Sequence, residues 1–196
     1  MAAIRLIAGL GNPGPRYEPT RHNAGANFAW YLSRRFDIPL LEDTKFKGHV
    51  GRGVLLGHDL RILVPDTFMN LSGESVGALA RFYKIDSAEI LVAYDEMAFE
   101  PGQLRLRTGG GDNGHNGIRS VIAGLGGQRD FQRLRIGVGH PGDRNQVTAY
   151  LTSQRMPEAE RAAVQQAFAF SDAVLDALLS GDLQKAMNAL HAPGEQ

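Results

Sequence analysis

One histidine, one aspartate and three asparagines stand where loops meet regular elements, and together they could hydrolyse an acyl bond. His22 lies in Thr20-Arg21-His22-Asn23-Ala24-Gly25, where a polar loop passes into a helix. Asp95 closes the strand-like run that starts at Ile90, within Tyr94-Asp95-Glu96. Asn12 sits in Gly9-Leu10-Gly11-Asn12-Pro13-Gly14, Asn70 in Asp66-Thr67-Phe68-Met69-Asn70-Leu71-Ser72, and Asn116 in Gly114-His115-Asn116-Gly117. In such chemistry a neutral imidazole takes a proton from water, a carboxylate orients the imidazole, and amides stabilise the oxyanion. Each fragment also has a plainer reading. A histidine is more often a satisfied structural group than a catalyst, and a strand-end aspartate can simply cap a turn. The argument for chemistry rests on the set.

Competing chemistries lack their parts. The glycine pattern Gly9-Leu10-Gly11-Asn12-Pro13-Gly14 imitates a dinucleotide-binding turn, but that motif must lead straight into a helix whose N-terminus receives a pyrophosphate. Here Pro13, Pro15 and Pro19 predict an irregular loop, and Arg34 and Arg35 stand where an acid should be. A turn presenting Asn12 is the better reading, with no nucleotide cofactor. His22, His115, His140, Asp95 and Asp143 are the raw material of a metal hydrolase, yet the histidines are scattered and no His-Glu-x-x-His pair exists. No metal is expected. Gly-x-Ser-x-Gly is absent, and with no cysteine in the chain there is neither a thiol nucleophile nor a disulfide.

These loops need a rigid frame, and the chain has the means to build one. Its 196 residues, 43% of them apolar, suit one domain with one core. Ile4–Ala8, Val50–Leu56, Leu60–Val64, Ile90–Ala93, Gln103–Arg107 and Leu134–Val138 predict strands, with Gly57-His58-Asp59 as a hairpin turn. Helices are predicted over Ala26–Phe36, from a cap at Ser72 to Tyr83, over Asn116–Leu125, and from Pro157 to just before Gly181 as one long helix. A last short helix is expected from Leu183 to Leu190. The order predicts a single α/β domain, residues 1–196, with a mixed, mostly parallel twisted sheet covered by helices on both faces. A mobile loop is expected near 109–117 and a helical segment over 157–191. Ligands of such sheets bind beyond the strand ends, where all the motifs lie.

Charge adds a second theme. The net charge is zero, but residues 103–145 hold seven arginines against three aspartates. Arg105 and Arg107 are two apart on one predicted strand, and Arg133 and Arg135 repeat that spacing on another, so each pair should leave one face. Arginine suits bidentate phosphate contacts, although a solvated basic face would look the same. No apolar run approaches the ~18 residues of a membrane span, and the N-terminus lacks a secretory signal. A cytoplasmic protein without membrane partners is expected.

Read in order, those five motifs and Arg135-Ile136-Gly137-Val138-Gly139-His140-Pro141-Gly142 resemble the bacterial peptidyl-tRNA hydrolase family from about residue 4 to about residue 192. The resemblance implies a monomeric cytoplasmic enzyme that frees tRNA from peptides dropped by ribosomes, without metal or cofactor. By carry-over His22 is the base and Asp95 its partner. Asn12 and Asn70 would hold the peptide and the tRNA 3′ end, with Asn70 polarising the ester carbonyl, and Asn116 would hold the peptide backbone and the attacking water. Tyr17 and Met69 would line the cleft, and His115 would join the substrate contacts. Arg105, Arg107 and Arg135 would meet the tRNA, including its 5′-phosphate. The family often has lysine at the positions of Arg105 and Arg107, and small residues or histidine where this chain has Asp112 and Asn113. A non-hydrolytic RNA-binding relative would need none of His22, Asp95, Asn12, Asn70 and Asn116, and a metal-dependent esterase would be stopped by chelator.

Overall fold

The computed structural model describes residues 2–191. Four parallel strands form the centre of the sheet: β1 (Leu6–Gly9), β4 (His58–Pro65), β5 (Ile90–Glu96) and β7 (Gln132–Gly137). Beside β4 runs β3 (Gly48–Leu55), antiparallel, followed by the short β2 (Leu41–Asp43). At the other edge β6 (Leu104–Thr108) pairs antiparallel with β7, giving the order β2-β3-β4-β1-β5-β7-β6. Leu6, Ile7, Ala8 and the run Ile90–Ala93 are fully buried, as strands covered on both faces must be.

One face is covered by α1 (Ala24–Arg35) and by the C-terminal helices α5 (Glu158–Phe168), α6 (Asp172–Ser180) and α7 (Leu183–His191). The other carries α2 (Ser72–Tyr83) and α3 (Asn116–Gly124). The small helix α4 (Val147–Thr152) was not foreseen, nor was β2. This is the mixed, mostly parallel sheet with helices on both faces that the element order predicted. Among the described residues no helix is long and apolar enough to cross a membrane.

Three local expectations are corrected. The predicted long helix is two, because Ser171 caps a new start by accepting Val174 N–H (3.3 Å), while Phe170 between them packs on Phe28. Ser72 does not cap α2. It is the helix's first residue, its buried hydroxyl donates back to Met69 O (2.7 Å), and the chain enters through a 3₁₀ turn over Met69–Leu71. The hairpin turns on Leu56-Gly57 and not on Gly57-His58-Asp59. Both turn residues have positive φ (49° and 83°), as a two-residue turn between twisted strands requires, so His58 and Asp59 belong to β4.

The placing of the chemistry depends on how closely α1 lies on the sheet. A Cβ at Gly25 would lie 2.1 Å from Ala93 O, and one at Gly9 2.2 Å from Gly25 O. Helix and strands therefore meet backbone to backbone, which holds the turn before α1 over the end of β5. Gly25→Ala should overpack this contact and lower stability by about 1–3 kcal/mol, seen as a lower urea midpoint at unchanged slope. An unchanged midpoint would show that α1 lifts without cost.

Candidate active site

The loops at the carboxyl ends of β1 and β5 and the N-termini of α1, α2 and α3 converge on one place, the usual ligand side of a parallel sheet. His22 lies in a single 3₁₀ turn (Arg21–Asn23) that leads into α1. Its Nδ1 meets Asp95 Oδ2 at 2.8 Å. The other carboxylate oxygen, Oδ1, meets His115 Nε2 at 2.8 Å. Asp95 is thus held between two imidazoles and is 3% exposed.

The ring nitrogens of His115 can be assigned from their partners. As N-cap of α3, its Nδ1 accepts the N–H groups of Gly117 (3.1 Å) and Ile118 (3.3 Å). An accepting nitrogen carries no hydrogen, so Nε2–H donates to Asp95. Asp95 then accepts from both rings. His22 places its hydrogen on Nδ1, and Nε2, with no protein partner among the described residues, is free to take a proton from water. His115, expected among the substrate contacts, lines the cavity beside His22, with both of its ring nitrogens engaged inside the protein.

The electrostatics follow from the same geometry. Burial alone would raise the Asp95 pKa, but the two imidazoles outweigh it and hold the carboxyl well below the usual carboxylate range. For His22 burial works against the imidazolium, yet the Asp95 charge and hydrogen bond prevail and lift its pKa above 6.5. Among the described residues the metal-ligand atoms that converge are those of His22, Asp95 and His115, all within 4.8 Å, and they already bond one another. His140 and Asp143 lie elsewhere in local turns, accepting Gly142 N–H and Asn145 N–H, each at 2.9 Å.

The amides surround this centre. Asn12 Oδ1 accepts Met69 N–H (2.7 Å), leaving its Nδ2 as a free donor. Asn12 is fixed in turn by Asn23, which accepts its N–H and donates to its carbonyl, both at 2.9 Å. Asn23 was quoted only as part of a motif. Nothing in its spacing from Asn12 announces the pairing, which depends on how the β1–α1 loop folds back. Asn70 and Asn116 are exposed on their turns. Tyr17 stands edge-on to the exposed Phe68, with ring centres 6.4 Å apart. Met69 is buried, its sulfur against Gly117, so it supports the cleft from beneath.

Arg21 is a second residue that the sequence reading passed over. Its buried guanidinium donates to Tyr150 O (3.2 Å) and Glu160 (3.2 Å) and stacks 3.7 Å from the Tyr150 ring centre. It thereby pins α4 beside the site. Between α4 and the turn at Asn113–Asn116 a cavity of about 250 Å³ opens onto His22 and Asp95.

The arginines are arranged in two ways. Arg105 stands opposite Arg135 and Arg107 opposite Arg133 across β6 and β7, so all four leave one face, as their spacing predicted. Arg105 and Arg135 are half-buried over the Phe99 ring, 5.5 and 5.0 Å from its centre. Arg133 is only 1% exposed and takes no part in a surface patch. Its guanidinium is bonded to backbone carbonyls.

A histidine bonded to a buried carboxylate, with amides around the pair, is an arrangement suited to activating water for hydrolysis. The relatives name it more closely. The profile of the family described as peptidyl-tRNA hydrolase matches residues 6–196. The peptidyl-tRNA hydrolase of Actinobacillus succinogenes is 49% identical, covering 97% of this chain and 98% of that protein. That of Pseudomonas putida is 48% identical, covering 98% of each. The crystal structure of peptidyl-tRNA hydrolase from Acinetobacter baumannii superposes with a TM-score of 0.92 at 43% identity, over 98% of this chain and 96% of that one. The chain belongs to the peptidyl-tRNA hydrolase family.

The assignment of the nitrogens can be measured directly. His22 should titrate above pH 6.5 in an imidazole NMR titration of the wild type. In Asp95→Asn the raising charge is gone, burial prevails, and the His22 pKa should drop below that of a free histidine. Equal His22 pKa values in the two proteins would mean that the pair is not electrostatically coupled.

Proposed function

We propose that this chain hydrolyses the ester between a peptide and the 3′ end of tRNA, with His22 as general base and Asp95 as its orienting partner. The observation that carries this is the 2.8 Å contact of His22 Nδ1 with a buried carboxylate, which leaves Nε2 free at an amide-lined cleft. Water between Nε2 and the ester carbonyl loses a proton to His22 as its oxygen attacks, and Asp95 stabilises the imidazolium that forms. Asn70 and the Nδ2 of Asn12 donate toward the carbonyl oxygen and the acyl group, where negative charge develops. When the intermediate collapses, the proton on His22 goes to the departing ribose oxygen. Asn116 holds the peptide backbone and Tyr17 stands at the cleft mouth. The reaction needs no metal, and the enzyme works as a cytoplasmic monomer.

Substrate grip comes from the arginine face. Arg105, Arg107 and Arg135 contact phosphates of the tRNA acceptor end, and Arg107 with Arg135 holds the 5′-phosphate. Support for this is the half-buried Arg105–Arg135 pair, whose guanidinium groups both lie by the Phe99 ring with no carboxylate partner among the described residues. Contacts of this kind position an RNA without reading its bases.

The test is release of N-acylated amino acid from acylated tRNA in the presence of chelator, beside free aminoacyl-tRNA as control. Hydrolysis confined to the blocked substrate is expected, and His22→Ala should reduce turnover by roughly 10²–10⁴-fold with little change in binding. Near-normal turnover in that variant would rule out His22 as the base. For the arginines, Arg107→Ala with Arg135→Ala should raise KM far more than it lowers kcat and should flatten the salt dependence. Removing the 5′-phosphate should then hurt the wild type and scarcely affect the double variant. Additive losses would place these arginines elsewhere on the RNA.

A further inference from the structure

Arg133 is the largest fully buried side chain among the described residues, and it belongs neither to the His22–Asp95 centre nor to the half-buried arginines beside it. A buried guanidinium normally finds a carboxylate. Arg133 makes no ion pair among the described residues. It donates to the carbonyls of Gly110 (2.6 Å), Gly111 and Arg129 (3.4 Å), and stacks 4.5 Å from the centre of the Phe131 ring. Its Nε has no hydrogen-bond partner among the described residues. The cation therefore rests on backbone carbonyls and the neighbouring Tyr94 hydroxyl, and the two loop carbonyls at Gly110 and Gly111 are gathered by it in turn. Gly109 and Gly110 have positive φ (66° and 107°), a backbone form that turns the loop in upon the guanidinium.

Four residues further on, this loop supplies the second imidazole of the hydrolytic centre. The stretch between is short and bonded within itself. Asp112 accepts Gly114 N–H through Oδ1 (2.8 Å), and its carbonyl accepts His115 N–H (2.9 Å). His115 then caps α3 with one nitrogen and bonds Asp95 with the other. The His115 ring also leans edge-on against Tyr94, ring centres 5.0 Å apart, on the same sheet face as Arg133.

We infer that Arg133 is a positioning residue for hydrolysis: by gathering the Gly110 and Gly111 carbonyls it sets the loop in the conformation that delivers His115 to Asp95. Its effect on the reaction runs through His115 and Asp95 to His22, and it touches neither peptide nor tRNA. This rests on the proposed roles of His22 and Asp95.

Two variants test it. Arg133→Met keeps the stem without the donors, and Arg133→Lys keeps the charge but replaces the fork with a single ammonium. Both are compared with wild type for kcat, KM, the acidic limb of the kcat–pH profile, and the imidazole nitrogen shifts of His115. Misplacing a catalytic group by about 1 Å costs on the order of 10²-fold, so kcat should fall by up to that factor in Arg133→Met and by less in Arg133→Lys, with KM nearly constant. The acidic limb should move to higher pH, because a carboxylate relieved of the His115 donor holds the His22 proton more tightly, and the His115 shifts should leave the pure Nε2–H pattern. Arg133→Met combined with His115→Gln should be little worse than His115→Gln alone. A rise in KM at constant kcat, or folded variants with wild-type pH profile and His115 shifts, would overturn the inference. If Arg133→Met does not fold, Arg133→Lys alone decides by the same readings. Failure of the underlying reading is separate: it would show as full activity in His22→Ala and Asp95→Asn.

Discussion

A carboxylate buried at the end of a central strand is costly unless every lone pair facing the protein is met by a donor. Asp95 meets that condition with two neighbouring imidazoles, one on each oxygen, carried by the turns before α1 and before α3. Much of the architecture serves this meeting. β1 and β5 run side by side so that the β1–α1 loop ends beside Asp95, and Gly9 and Gly25 let α1 descend until backbones touch. α3 begins where its own N-cap can also reach the carboxylate. Displacing any of these elements leaves a buried anion short of a donor, so packing energy and chemical competence are tied to the same contact.

The molecule also buries the charge of Arg133 and treats it differently. Asp95 is satisfied by two side chains, whereas Arg133 is satisfied by backbone carbonyls, two of them in a glycine-rich loop. Side-chain partners fix a direction, as a base requires. Carbonyl partners fix a backbone path, as a loop needs. Arg107 and Arg135 lie beside Arg133 in the same ladder yet are only half-buried, so one strand pair carries both an internal and a partly exposed charge. Burial, and not residue type, separates the two uses.

Most of the frame was legible from the sequence, because apolar runs such as Leu6–Ala8 and Ile90–Ala93 have no other stable fate than a covered strand. The meeting of His22 and Asp95 was legible as types at loop positions, and the family motifs ordered them. What could not be read depended on contacts between distant segments. Asn23 looks like any loop asparagine until the β1–α1 loop closes it on Asn12. His115 looks like a substrate ligand until α3 fixes its Nδ1. Arg133 and Arg135 share spacing and charge, and only the loop lying across one of them tells them apart. The break between α5 and α6 was local, but helical spacing of Val164, Phe168, Leu175 and Leu178 carries across it, which hid the Ser171 cap.

The outer edge of the sheet carries a consequence of its own. β6 is an edge strand, and an open edge invites another chain to pair with it. Here the N–H of Leu106 is taken by Nε2 of His191, at the end of α7 (2.9 Å), so an imidazole occupies a slot that a foreign strand would fill. Burial and the charges of Arg105 and Arg135 keep that ring's pKa below its ordinary value, which preserves the lone pair. The end of α7 thus meets a backbone donor of the edge strand with a neutral ring nitrogen, and one hydrogen-bonding position along that edge is already filled from within the chain.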